Sequence, residues 1–132
     1  MQDILNRTDV KRLVNTFYTK IRAHETLGPI FLSRISGDKE WEKHEEKLTD
    51  FWESNLFFKS LYNGNPLKPH LEVDKEQGHS LGQEHFGMWL QLWVSNIDEH
   101  FSGDTAQIAK NKARNMAHFM FMQIFEGRST KM

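Results

Sequence analysis

The sequence predicts an all-α fold, on three observations. Apolar residues recur at three- and four-residue steps over four long stretches, the period of an amphipathic helix. Those stretches are punctuated by capping residues ahead and glycine behind. The four helices also fall into two pairs, separated by one long irregular segment from about Leu61 to His79.

The first helix is expected from about Asp9 to His24. Val10, Leu13, Val14, Phe17 and Ile21 lie on one face, and Thr8 or Asp9 can cap the start. Gly28-Pro29 is read as a stop, followed by the apolar knot Leu27, Ile30 and Phe31 and a polar loop through Ser36, Gly37 and Asp38. The second helix, from about Lys39 to Lys59, turns Trp41, His44, Leu48, Phe51 and Trp52 inward and Glu42, Lys43, Glu46 and Lys47 outward. A third opens at Ser80 and Gln83 as a capping box. It carries Phe86, Trp89, Leu90, Trp93 and Ile97 to Phe101, and Gly103 closes it. The last begins at Asp104, with Gln107 placed for a second box. It buries Ala109, Ala113, Met116, Ala117, Met120, Phe121 and Ile124, and ends at Gly127 before a frayed tail.

Composition narrows the function classes. The 132 residues are expected to form one domain spanning 1–132, with a net charge of −1 and 38% hydrophobic residues. That balance offers no electrostatic case for nucleic acid or an anionic membrane. No apolar run approaches a membrane span and no signal-peptide core opens the chain, so a cytoplasmic location is expected. The absence of cysteine excludes disulfides, Cys-ligated zinc, iron–sulfur clusters and thiol catalysis. Ten Phe, four Trp and six Met are first explained by a well-filled core, but such residues also line pockets for flat apolar ligands.

The irregular segment is the main puzzle. In Tyr62-Asn-Gly-Asn-Pro-Leu-Lys-Pro-His-Leu71, Pro66 and Pro69 cannot donate to a helical ladder and push Asn65 and Lys68 towards extended geometry. Connections in helical bundles usually run to about 2–8 residues, so a longer one suggests a purpose. It ends on a histidine, His70.

Several chemistries can be set aside. His44-Glu45 begins like the zinc motif His-Glu-x-x-His, but the fifth position is Leu48. Bundle di-iron sites need two Glu-x-x-His pairs; only Glu76 to His79 exists, interrupted by Gly78. Neither a Gly-x-Ser-x-Gly elbow nor a Gly-rich phosphate loop is present. Haem demands less: one neutral imidazole, an apolar slot and a few polar groups beside the bound ligand.

At this point the residues resemble a family. His44-x-x-Lys47-Leu48-x-x-Phe51-Trp52-x-x-x-Leu56 followed by Tyr62-x-Gly64-x-Pro66-x-x-x-His70 is similar to the group III truncated haemoglobins. So are Phe17-Tyr18, Leu27-Gly28-Pro29-Ile30-Phe31 and Phe86-x-x-Trp89-Leu90-x-Leu92-Trp93. The resemblance covers about residues 9 to 125, and the Gly-Gly signatures of other truncated globin groups are absent. It implies a two-over-two helical sandwich of the truncated globin type holding haem b. It also implies His70 as proximal iron ligand and Tyr18, His44 and Trp89 on the distal side. Phe31, Trp52, Leu71 and Phe86 would contact the haem.

The implied function is binding of O2 and of other diatomic ligands, CO and NO, at a polar distal site. NO or peroxide chemistry would suit such a site better than bulk O2 transport. Either reaction needs an external electron donor, because the chain carries no flavin or nicotinamide domain. A monomer is expected.

Each role has a plainer counterpart. His70 could be a surface loop histidine, and Tyr18 and Trp89 could be packing residues. A histidine on an apolar helix face, such as His44, is more often a packed residue than a ligand. The role of His44 stays open between bonding the ligand, gating its entry and ligating the iron. The competing class is a cofactor-free helical interaction module that uses its aromatic faces.

Overall fold

The structure, a computed structural model, describes residues 1–57 and 83–129, with side chains through residue 123. The expected irregular stretch from Leu61 to His79, and Ser80 after it, lie outside the described residues.

Helix α1, Arg7–Ala23, begins two residues before the expected start because Asn6 caps it. The Asn6 carboxamide oxygen accepts from the Asp9 N–H at 3.0 Å, and the Asp9 carboxylate accepts from the Leu5 N–H at 2.9 Å. Two orphan donors are thus satisfied reciprocally, in the manner of a capping box. The expected face (Val10, Leu13, Val14, Phe17, Ile21) is buried, and Tyr18 joins it.

A short helix replaces the expected stop. α2, Leu27–Arg34, runs through Gly28-Pro29. Pro29 falls in its first turn, where a missing N–H costs no helical bond and the fixed φ suits the helix. His24 organises the corner: its Nδ1 accepts from the Thr26 and Leu27 N–H groups at 3.2 and 3.1 Å, and its carbonyl accepts from Gly28 at 2.9 Å. A Cβ on Gly28 would stand 2.7 Å from the Arg22 carbonyl oxygen, so only glycine lets α2 sit this close to α1.

Helix α3, Asp38–Phe57, follows Gly37, whose φ of +82° makes the turn. The Glu40 carboxylate accepts the Ser36 N–H at 2.9 Å ahead of the first turn. Its inward face buries Trp41, Phe51, Trp52 and Leu56, with Leu48 partly covered.

Helix α4 spans Gln83–His100 and α5 spans Asp104–Ser129, joined at Gly103 with φ +138°. The start of α5 is capped from far away in sequence. The Asp3 carboxylate accepts from the Thr105 and Ala106 N–H groups at 2.9 and 2.8 Å. The expected second partner, Gln107, instead donates to Asn111 at 3.0 Å. Nor does Gly127 end α5, which continues to Ser129. A lone glycine in a last turn weakens a helix by about 1 kcal/mol without breaking it.

Helices α1 and α3 pack as one pair and α4 and α5 as the other. α1 lies against α4 and α3 against α5, while α2 closes a corner onto α1 and α4. This is the two-over-two sandwich, all-α among the described residues. α5 approaches closely because its inner face is Ala106, Ala109, Ala113 and Ala117. Between the pairs lies one cluster that includes Val10, Leu13, Val14, Phe17, Ile21, Trp52, Trp93 and Ile97, each no more than 1% exposed. Each fully buried aliphatic or Phe side chain contributes about 1.5–3 kcal/mol.

Polar ties fix how the helices seat on one another. Arg7 reaches Asp50 at 2.8 Å and the buried carboxylate of Glu53 at 2.7 Å, with Glu46 beside them, which staples the start of α1 to α3. Asn96 on α4 is fully buried and donates to Thr16 at 2.9 Å and to the Leu13 carbonyl at 3.3 Å, which locks α4 onto α1.

Candidate functional site

Because α1 is covered by α2, α3 and α4, two consecutive residues on it can both be buried while facing different neighbours. Phe17 turns to α4, where its ring meets Trp89 and Trp93 edge-on at 5.7 and 5.0 Å. Tyr18 turns to α2 and α3. Its ring lies 4.9 Å from His44, 5.8 Å from Trp41 and 6.0 Å from Phe31, centroid to centroid. Phe17 and Tyr18 themselves touch edge-on at 5.0 Å. Edge-to-face contact is the favoured arrangement for such rings.

Burial raises the Tyr18 phenol well above its ordinary pKa of 10.0, and the charge of Glu45 adds to the shift. Tyr18 is therefore a neutral hydrogen-bond donor throughout the neutral range. Glu45 is itself pushed up by burial and restrained by the Asn15 amide, which donates to it at 3.1 Å, and by the charge of Arg22.

The structure thus brings together Tyr18, His44 and Phe31. Trp89 joins through Phe17 rather than by direct ring contact with Tyr18. Trp52 is 1% exposed and stacks on Trp93 at 4.5 Å, deep between the helix pairs. Phe86 sits near the start of α4, 6.0 Å from Phe121 of α5. His70 and Leu71 lie outside the described residues.

Two neighbours were given no site role in the sequence reading, although Trp41 was placed on the same inner face as His44. Trp41, one helical turn before His44, meets both His44 and Tyr18, and the Arg22 guanidinium stands 3.9 Å above the Trp41 ring. The spacing Trp41–His44 on one apolar face carried that signal. Arg22, on the exposed side of α1, carried none, because cation–π contacts have no spacing rule in sequence.

Part of the core is incompletely covered. Phe31, Leu48, Phe57, Met88, Trp89, Leu90 and Leu92 pack on the core but keep part of their surface open. A run of half-covered aromatic and aliphatic side chains, with a phenol and an imidazole among them, fits a flat apolar cofactor whose bound ligand is polar. No described group of three or more His, Asp or Glu could hold a bare metal ion. A porphyrin supplies four of the iron's ligands itself, so one imidazole is enough.

Comparison with known proteins decides the family. The chain is 32% identical over 122 residues to the group 3 truncated hemoglobin ctb of Campylobacter jejuni, covering 91% of this chain and 92% of that protein. This chain belongs to the group III truncated haemoglobins. A crystal structure of group III truncated hemoglobin from the same organism superposes with a TM-score of 0.83 at 29% identity, covering 94% of this chain and 95% of that one. No protein-family model matches the chain. As a truncated haemoglobin the chain is a haem globin, and its two-over-two helical arrangement agrees with that family. No described helix is long and apolar enough to cross a membrane.

Proposed function

We propose that this globin holds haem b through His70 and binds O2, and also CO and NO, beside Tyr18, His44 and Trp89. The observation that carries the reading is the ring cluster of buried Tyr18 and Trp41 with half-buried His44 and Phe31, on a core that keeps part of its apolar surface open. When bound, haem supplies an iron that takes a diatomic ligand and can exchange electrons with it.

The chain's own groups do the rest. Phe31, Trp52, Leu71 and Phe86 would line the slot and keep water from the iron. The His70 imidazole would ligate through one nitrogen and donate from the other to a nearby acceptor, which holds the ring in place. Tyr18 keeps its proton and donates O–H towards the ligand, where negative charge gathers. The Trp89 indole adds an N–H. His44, 4.9 Å from the Tyr18 ring, can bond the ligand or swing across its entry.

Donors aimed at the ligand slow its escape. That suits a protein that reacts with O2, NO or peroxide, using an external one-electron donor, better than one that delivers O2 in bulk. The test is NO consumption by the oxygenated, haem-loaded protein. Rapid stoichiometric loss of NO with nitrate formation is expected, at a rate that falls in Tyr18→Phe. Slow, Tyr18-independent loss would leave ligand binding without this chemistry.

A further inference from the structure

We propose that Trp89, Trp93 and Trp52 form an electron-donating relay that takes one oxidising equivalent from the haem pocket into the protein core when the haem meets a peroxide. The inference rests on the haem reading above and on Trp89 facing the ligand.

Three of the four tryptophans stand in one row. Trp52 and Trp93 stack at 4.5 Å with planes 23° apart; Trp93 and Trp89 lie at 6.0 Å, parallel to 2°. Packing alone does not demand this. Ring pairs nearby, such as Phe17 with Trp89, Phe17 with Trp93 and Phe51 with Trp52, meet edge-on at 84–88°. Edge contact satisfies the ring quadrupoles but gives the π systems little overlap, whereas offset stacking lets a charge on one ring spread to the next.

The row is also graded in depth. Trp89 is half-buried on the wall of the pocket, and Trp93 and Trp52 are each 1% exposed. The row therefore links the half-buried Trp89 to two indoles that solvent does not reach.

A buried cation is costly unless it is shared and hydrogen-bonded. Trp93 has both aids: two stacked neighbours, and an Nε1–H that donates to the Ala109 carbonyl oxygen at 3.2 Å. Positive charge on the indole strengthens that bond. A backbone carbonyl is too weak a base to take the proton, so the indole gives up an electron while keeping its N–H. The balance is simple. Hydrogen peroxide takes two electrons and two solvent protons to become two waters. One electron leaves the haem and the other leaves the tryptophan row, which is left as an indole radical cation.

The test begins with the full chain loaded with ferric hemin, whose Soret band is recorded before any peroxide is added. One equivalent of hydrogen peroxide followed by freeze-quench electron paramagnetic resonance should give a narrow radical with indole hyperfine structure. In Trp93→Phe that signal should fall several-fold. A tyrosyl signal in the wild type, or an indole signal unchanged in Trp93→Phe, would overturn the relay.

A second measurement needs no variant. Peptide mapping of the peroxide-treated wild type should show oxygen added to Trp93 or Trp52 in excess of that at exposed Met1 and Met122, which are 78% and 39% open to solvent. Without hemin, diffusing peroxide should reach the methionines first and leave the indoles intact. Indoles that stay intact while the Soret band bleaches, or that are oxidised equally with and without hemin, sink the relay but leave the haem reading standing. A chain that shows no Soret band with hemin defeats both.

Discussion

In the proposed mechanism, ligand retention turns on Tyr18. Its hydroxyl sits in a ring cluster that excludes water, and burial keeps it protonated above its ordinary value of 10.0. A hydrogen bond from such a donor to a ligand with partial negative charge contributes about 1.5–3 kcal/mol. Tyr18→Phe should therefore speed O2 dissociation by roughly ten- to a hundredfold, since about 1.4 kcal/mol is a factor of ten. Stopped-flow displacement of O2 by CO measures it, and an unchanged rate would remove Tyr18 from the mechanism. The wild-type rate should stay flat from neutral pH past 10, because the raised phenol does not ionise in that range. Trp89→Phe should give a smaller increase, because Trp89 keeps part of its surface open. Tyr18, His44 and Trp89 were grouped as a distal set only through the family pattern, and the structure brings Tyr18 and His44 into ring contact. Periodicity placed His44 among aromatics but did not anticipate Tyr18, the residue 4.9 Å from it, because ring contacts between helices depend on packing angles that spacing does not carry.

Among the elements, the ends of helices were the least legible, for a physical reason. A cap can be supplied by any polar group that reaches the free N–H donors, and neither α2 nor α5 uses the local one. α5 takes Asp3, more than a hundred residues earlier in the chain. Burial alone would raise the Asp3 carboxyl, but the N–H groups of Thr105, Ala106 and Ile4 outweigh it and hold the carboxyl below its ordinary 3.8. Its stabilisation is thus complete above that value and is lost as pH falls through the lower, folded value. Asp3→Ala should cost about 1 kcal/mol near neutrality, or roughly 3–5 °C in Tm. The gap to wild type should narrow as pH falls below 3.8 and close once the folded carboxyl is protonated. Thermal melts across pH 2–7 test it, and a gap that persists at the acid end would show that Asp3 acts by packing alone. At the other corner, Gly28→Ala would drive a Cβ to 2.7 Å from the Arg22 carbonyl. A loss of about 1–3 kcal/mol in denaturant unfolding is expected.

Across the whole molecule, the two helix pairs were visible in the apolar spacing, and the order of the four long helices matches it. What spacing could not supply was the crossing of the pairs. That depends on contacts such as the Asn96 amide against Thr16, the Ala-faced approach of α5 and the tie from Arg7 to Glu53. Hydrogen bonds that it donates to the Glu53 and Asp50 carboxylates hold the Arg7 guanidinium firmly charged. Arg7→Ala would take the guanidinium away from a carboxylate that is only 3% exposed. A loss of about 2–3 kcal/mol is expected, less than for a fully buried pair because the Arg7 side chain is 36% open to water. The sequence alone led us to expect an irregular connection between the pairs, and only the resemblance assigned its His70 to iron; both expectations fall outside the described residues. The most direct measurement is therefore the absorption spectrum of the purified chain titrated with hemin, alongside His70→Ala. One equivalent of hemin should give the wild type a sharp Soret band that the variant loses or severely weakens. A wild-type chain that ignores hemin, or a variant whose band is unchanged, would contradict the account.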